Sequence, residues 1–177
     1  QAHVKTPLAL TLSAASGQPE IERLLLFVRA QLKDVGVDVE LDLKPFKVFF
    51  PEIARKRKTQ LAFYSWTIDD SAMGASLWRA DRIPSPDNDW RGQNFPGWRN
   101  DDVTRALDEA ERTLDVDKRR ALVATVEQEF RADLPAIPFY FRPVVVVHAK
   151  RVTGLRPTGT LTPLAWNAST WDVTPPH

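Results

Sequence analysis

The sequence predicts an α/β fold, a mixed sheet flanked by helices. Two observations lead to it. Apolar residues alternate along 8–12 and along 37–44, the period of a strand, and between these stretches they recur every three or four residues, the period of a helix. Two further helical stretches follow at 101–114 and 115–130, and then two strand-like runs at 136–141 and 144–150.

The first 45 residues form the clearest unit. Leu8, Leu10 and Leu12 alternate with Ala9 and Thr11 and predict a strand. "SAASGQP" turns the chain, and Pro19 suits a first helical position, where its missing N–H costs nothing. Ile21, Leu24, Leu25, Val28 and Leu32 make one apolar helix face, and Gly36 supplies a left-handed C-cap. In "VDVELDLK", Val37, Val39, Leu41 and Leu43 face one way and charged residues the other, so this strand is expected near a sheet edge or only half covered. Strand, helix and strand at this length make a βαβ unit.

A short helix is expected to start near Pro51, and "LAFYSW" at 61–66 reads as a buried strand. The stretch 67–100 has no sustained periodicity apart from a short helical turn around "SAMGASLW". Trp66, Trp78, Trp90 and Trp98 lie in it or at its edge. Connections of this length are uncommon in compact domains unless they carry function. Asn100 or Asp101 is expected to cap the next helix, with Val103, Leu107, Ala110 and Leu114 inward. Asp115 or Asp117 caps the one after, with Leu122, Val126 and Phe130 inward. After Lys150 the pattern is turn-rich. Residues 151–177 carry Leu155, Leu161, Leu164, Trp166 and Trp171, which need burial, and this segment is expected either to wrap the domain formed by residues 1–150 or to pack on another part of the protein.

Composition narrows the function. A net charge of +1 gives no general drive toward nucleic acid or acidic membranes. The run Arg55-Lys56-Arg57-Lys58 reads as a solvated helix end. The absence of cysteine excludes disulfides and thiolate chemistry. No stretch approaches the roughly 20 apolar residues of a membrane span. His3 and His177 are terminal, His148 lies in a strand-like run, and no nucleophile-elbow, phosphate-loop, dinucleotide or zinc-protease pattern occurs. Neither a catalytic residue, a metal nor a cofactor is expected. The remaining signal is a binding site: Trp66 at a strand end, then Asp69 and Asp70, then the aromatic loop with Phe95 and Trp98. Ligands bind at the carboxyl ends of strands in α/β sheets, and a carboxylate there suits an ammonium group. The alternatives are a carbohydrate-binding or glycoside-hydrolysing module with tryptophan platforms, and a protein-interaction domain.

Four stretches in this order resemble the C-terminal lobe of the extracytoplasmic solute-binding proteins of the peptide/nickel type, family 5, which serve ABC importers. They are "IERLLLFVRAQLKDVGVDVEL", "LAFYSWTIDD", "QNFPGWRNDDVTRALDEAERTLDVDKRRALVATVEQEFRADLPAIPFYFRP" and "KRVTGLRPTGTLTPLAWNASTWDV". The resemblance implies a type II periplasmic-binding-protein-like lobe and a periplasmic or extracytoplasmic binding protein rather than an enzyme. It implies three partners: a peptide or similar small solute, an ABC permease, and an N-terminal lobe of the same protein. That lobe, a signal and a lipid anchor would precede Gln1, and 151–177 would pack toward it. In peptide-binding relatives an acidic residue after the tryptophan-bearing strand holds the ligand's ammonium. Trp66-Thr67-Ile68-Asp69 matches that pattern, which gives Asp69 the role, Asp70 as its neighbour, and Trp66 and Thr67 beside them. Where relatives often continue with Asp-Pro, this chain reads Asp70-Ser71.

Overall fold

The computed structural model describes residues 7–66, 74–141, 143, 145–157 and 164–174. They fall into two compact units, Gln1–Ser65 with Ser76–Thr104, and Trp66–Ala75 with Arg105–His177.

In the first unit, β1 (Leu8–Ala15), α1 (Pro19–Asp34) and β2 (Val37–Lys44) form the expected βαβ unit. β1 and β2 pair in parallel along their whole length, from Leu8 opposite Val37 to Ala15 opposite Lys44. β3 (Leu61–Phe63) joins the other side of β1, also in parallel, from Leu12 opposite Leu61 to Ala14 opposite Phe63. The order is β2-β1-β3, with β2 at an edge as its polar face requires. The core between α1 and the sheet is Leu12, Ala14, Ile21, Leu25 and Val39, ringed by half-buried Leu32, Val37, Leu41, Leu43, Leu61 and Phe63. Pro19 takes the first helical turn, and Gly36 follows the helix at φ 84°, its amide donating to the Lys33 carbonyl at 3.0 Å.

The next helix starts earlier than expected. α2 (Phe46–Val48) runs directly into a π-turn over Phe49–Ala54, so Pro51 lies inside the helix rather than at its start. The widened π-turn accommodates a residue with no amide proton, which an α-turn would leave as a break. Lys56 and Lys58 of the basic run both reach Glu52, at 3.0 and 3.6 Å, and Lys56 also lies 5.7 Å from the Trp90 ring centre. Only the first half of "LAFYSW" is strand: Leu61–Phe63 pairs, and Tyr64-Ser65-Trp66 does not. The expected helical turn is α3 (Ala75–Trp78).

α4 (Asp101–Arg112) begins in the first unit and continues into the second. Its cap is Asn100, whose Oδ1 accepts from the amides of Asp102 and Val103 at 3.0 and 3.1 Å. Val103, Ala106, Leu107 and Ala110 are buried. Leu114 is not: the helix ends two residues before it, and its side chain is 93% exposed. α5 (Val116–Asp133) is capped by Asp115, whose carboxylate accepts from the Lys118 amide at 2.9 Å, and Val126 is its buried residue. Lys118 donates to Glu109 at 2.7 Å, and this contact raises the lysine's pKa above its ordinary value.

The strands expected over 136–141 and 144–150 do not form among the described residues. A strand needs a ladder partner, and Pro138 and Pro143 each remove a donor. Instead Ile137, Phe141, Val145 and Val147 stand exposed, Phe141 and Val147 at 100% and 91%.

The tail has more order than its sequence suggests. β4 (Val152–Thr153) and β5 (Asp172–Val173) pair antiparallel and close over a 3₁₀ segment, Leu164–Thr170. Buried Asn167 ties this closure. Its Nδ2 donates to the Gly154 carbonyl at 2.6 Å and to Thr170 Oγ1 at 3.0 Å, and its Oδ1 accepts from the Trp171 indole at 3.0 Å. Asn167→Ala leaves three groups without this partner, about 1–3 kcal/mol of local stability. Hydrogen exchange of the Val152 and Thr174 amides is expected to accelerate while the α1 amides keep their rate.

Candidate functional site

A parallel sheet places the carboxyl ends of its strands along one edge. Here the chain goes from β1 to β2 on one side and to β3 on the other, so the topology switches between β1 and β3. A switch point of this kind is where open α/β sheets bind ligands, because the loops leaving the two strands diverge there. The chain leaves β3 through Tyr64 and Ser65, and Trp66, the first predicted site residue, follows in sequence. Trp66 is half-buried. Thr67, Asp69 and Asp70 lie outside the described residues.

Phe95 and Trp98, the other two, are buried side chains of the first unit, 4% and 8% exposed. Phe95 packs edge-on to Tyr64 with ring centres 5.7 Å apart, and both rings meet Phe50, at 6.5 and 6.2 Å. Trp98 meets Trp78 edge-to-face at 6.2 Å. Rings in a non-periodic loop can enter a core when the loop folds back on itself, and the residue that makes it do so is Asn94.

Asn94 is fully buried. Its Nδ2 donates to the carbonyls of Arg79 and Trp98 at 3.0 and 2.8 Å, its Oδ1 accepts from the Trp98 amide at 3.1 Å, and its own amide donates to the Arg82 carbonyl at 3.0 Å. One side chain therefore pins both ends of the stretch 79–98. Sequence reasoning missed it: a lone asparagine among loop residues looks like any turn former. The signal that could have found it is its place between the aromatic pair and the Gly92 turn.

The rest of the loop is built from the same kind of bond. Ser85 and Asn88 form a capping box around a 3₁₀ turn, Pro86–Asn88, and Asn88 also donates to the Ile83 carbonyl at 2.9 Å. Asp89 and Trp90 follow at φ 53° and 58°. Such a pair of left-handed residues costs about 1–2 kcal/mol each and is kept only by a rigid surround. Arg79 donates to both oxygens of Asp81, at 2.9 and 3.3 Å, and these bonds hold the Asp81 carboxyl below its ordinary pKa.

A depression of about 390 Å³ lies at the opposite end of β3, lined by Thr11, Arg57, Lys58, Thr59 and Gln60. Its polar groups have partners: Gln60 accepts from the Thr11 amide, Thr59 donates to the Thr11 carbonyl, Arg57 donates to the Pro84 carbonyl and Lys58 pairs with Glu52. Among the described residues, no three His, Cys, Asp or Glu side chains gather as a metal site. No helix among them is long and apolar enough to cross a membrane.

No family model matches the chain. It is 27% identical over 130 residues to the oligopeptide-binding protein OppA of Bacillus subtilis strain 168, a match covering 72% of this chain and 22% of that protein. Its fold superimposes on the oligopeptide-binding protein of Thermus thermophilus, solved with a pentapeptide. There the TM-score is 0.70 at 26% identity, over 76% of this chain and 24% of that one. It has the same fold as the periplasmic binding protein DppA of Helicobacter pylori, solved with the peptide STSA. That match has a TM-score of 0.70 at 24% identity, over 87% of this chain and 29% of that one. The chain thus spans less than a third of the length of each. In sequence and in fold the chain is therefore similar to a part of these peptide-binding proteins.

Proposed function

We propose that this chain is the C-terminal lobe of a periplasmic or extracytoplasmic substrate-binding protein. It would capture peptides or similar small solutes in a cleft closed by an N-terminal lobe and present them to an ABC permease. The observation that carries this reading is the switch in strand order between β1 and β3, with the chain leaving β3 toward Trp66. In this reading Trp66 walls the cleft, Asp69 pairs with the ligand's ammonium, and Thr67 and Asp70 line the same loop. Phe95 and Trp98 contribute from beneath as packing residues. Lobe closure is a two-state equilibrium that the ligand shifts. The exposed Ile137, Phe141, Val145 and Val147, together with the closing segment 151–177, supply apolar surface for the N-terminal lobe.

The relatives are binding proteins, and the chain is read as a binding protein rather than an enzyme. The glycosidase alternative needs a second carboxylate across a sugar from Asp69, and no feature of the described residues favours one.

The test is a tryptophan-fluorescence titration of the full-length gene product with a randomised tetrapeptide library. Asp69→Asn is expected to weaken binding by roughly 10- to 100-fold, the loss of one charge-assisted bond. A response to sugars or to nickel chelates, with none to peptides, overturns the substrate class.

A further inference from the structure

The register of the sheet brings the exits of its strands to one level. Ala15 of β1 lies opposite Lys44 of β2, and Ala14 lies opposite Phe63 of β3, so the two outer strands end on either side of the β1 exit. The Ser16 amide donates to the Lys44 carbonyl at 2.8 Å and ties the β1 and β2 exits together. The first aromatic residue beyond β2 is Phe46, and the first beyond β3 is Tyr64. Phe50 bridges them, with ring centres 4.7 Å from Phe46 and 6.2 Å from Tyr64. All of these residues belong to the first unit.

The row of rings is graded. Its base is buried: Phe49 and Phe95 stand 4.9 and 6.5 Å from Phe50 and are shut off from solvent. Phe50 and Tyr64 are half-buried. At the crest Phe46 is 63% exposed, and Val48, two residues on in the same short helix, is 40% exposed. The main chain under the crest is fixed, because the Pro45 carbonyl accepts from the amides of Val48 and Phe49 at 2.8 and 2.9 Å. Apolar surface left in water is free energy available to a ligand that covers it, and rings already held in place lose little freedom when it does. A crest of this size is far smaller than the roughly 20–30 residues a side of a stable protein interface. It suits a single apolar side chain, and the carboxyl end of a parallel sheet is where such a sheet meets a small ligand.

We propose that Phe46, Val48, Phe50 and Tyr64 form a subsite for an aromatic or large aliphatic side chain of a peptide ligand. This rests on the function proposed above and narrows its substrate class to peptides that carry such a residue at one fixed position. The preference comes from ring contact and burial, so it follows apolar size rather than any hydrogen-bonding group. Burying one such side chain favours binding by roughly 10- to 100-fold.

The test uses the full-length gene product and the randomised tetrapeptide library, with captured peptides sequenced by mass spectrometry. The wild type is expected to enrich Phe, Tyr, Trp and Leu over Ser and Gly by about tenfold or more at one position. Phe46→Ser is expected to cut that enrichment about fivefold, and Val48→Ser about twofold. Both positions already face solvent, so a polar residue there leaves the fold intact. Phe27→Ser removes another exposed ring, from α1, and is expected to leave the enrichment unchanged. A library captured without enrichment at any position, or enrichment that survives Phe46→Ser, overturns the subsite and leaves the proposed function standing. So does a Phe46→Ser variant that weakens all captured peptides alike, because the crest would then pack on the N-terminal lobe. A wild type that captures nothing from the library overturns the proposed function, and this subsite with it.

Discussion

Asn94→Asp is expected to destabilise the first unit by about 3–4 kcal/mol at neutral pH, although the two side chains have the same shape. The amide nitrogen of Asn94 donates to two main-chain carbonyls, those of Arg79 and Trp98. A carboxylate cannot donate, so the substitution sets an anion against two carbonyl oxygens in a site without solvent. Urea denaturation followed by near-ultraviolet circular dichroism of the aromatic cluster measures the loss. The pH dependence separates this cause from a packing defect. Burial and the facing carbonyls raise the new carboxyl's folded pKa above its unfolded value, so the folded state holds the proton more tightly. The protonated form can donate one bond again. Stability of the variant is therefore expected to recover as pH falls toward 4 and to be lost as pH rises through the raised pKa. A loss independent of pH between 4 and 7 contradicts this account of Asn94.

The parts of this structure that were legible in the sequence are those where burial follows a period. Ile21 and Leu25 lie one helical turn apart, and Val37, Val39, Leu41 and Leu43 lie two residues apart, so α1 and β2 could be read almost to their ends, whereas β1 runs on through Ser13–Ala15, the start of the stretch read as a turn. Leu114 kept the helical period but lay beyond the helix, since spacing cannot say where a helix stops without a terminator. The runs 136–141 and 144–150 have strand composition, but a ladder is a property of two segments and composition describes one. The site divides in the same way. Trp66 could be placed because it follows an apolar run. The burial of Phe95 and Trp98 could not, because it depends on three main-chain atoms that converge on Asn94 from Arg79 and Trp98.

That convergence has a second support, and it makes Gly92→Ala the other large effect. Gly92 sits at φ 107°, where residues with a Cβ are strained, and a Cβ built there meets the carbonyl oxygen and carbon of Arg82. These are main-chain atoms, so no rotamer change relieves the overlap. Either the turn opens or the Arg82 carbonyl moves. Because that carbonyl accepts the Asn94 amide at 3.0 Å, moving it loosens the residue that pins the loop. A cost of about 2–4 kcal/mol is expected, more than the 1–2 kcal/mol or so of left-handed strain alone. The shared carbonyl predicts coupling. In a double-mutant cycle with Asn94→Ala, the combined loss is expected to fall short of the sum by about 1 kcal/mol, since the loop released by one change has less to lose from the other. Losses that add within about 0.3 kcal/mol would mean that the turn and the asparagine act independently. In that case the loop would be two locally stable pieces rather than a single unit organised around the Arg82 carbonyl.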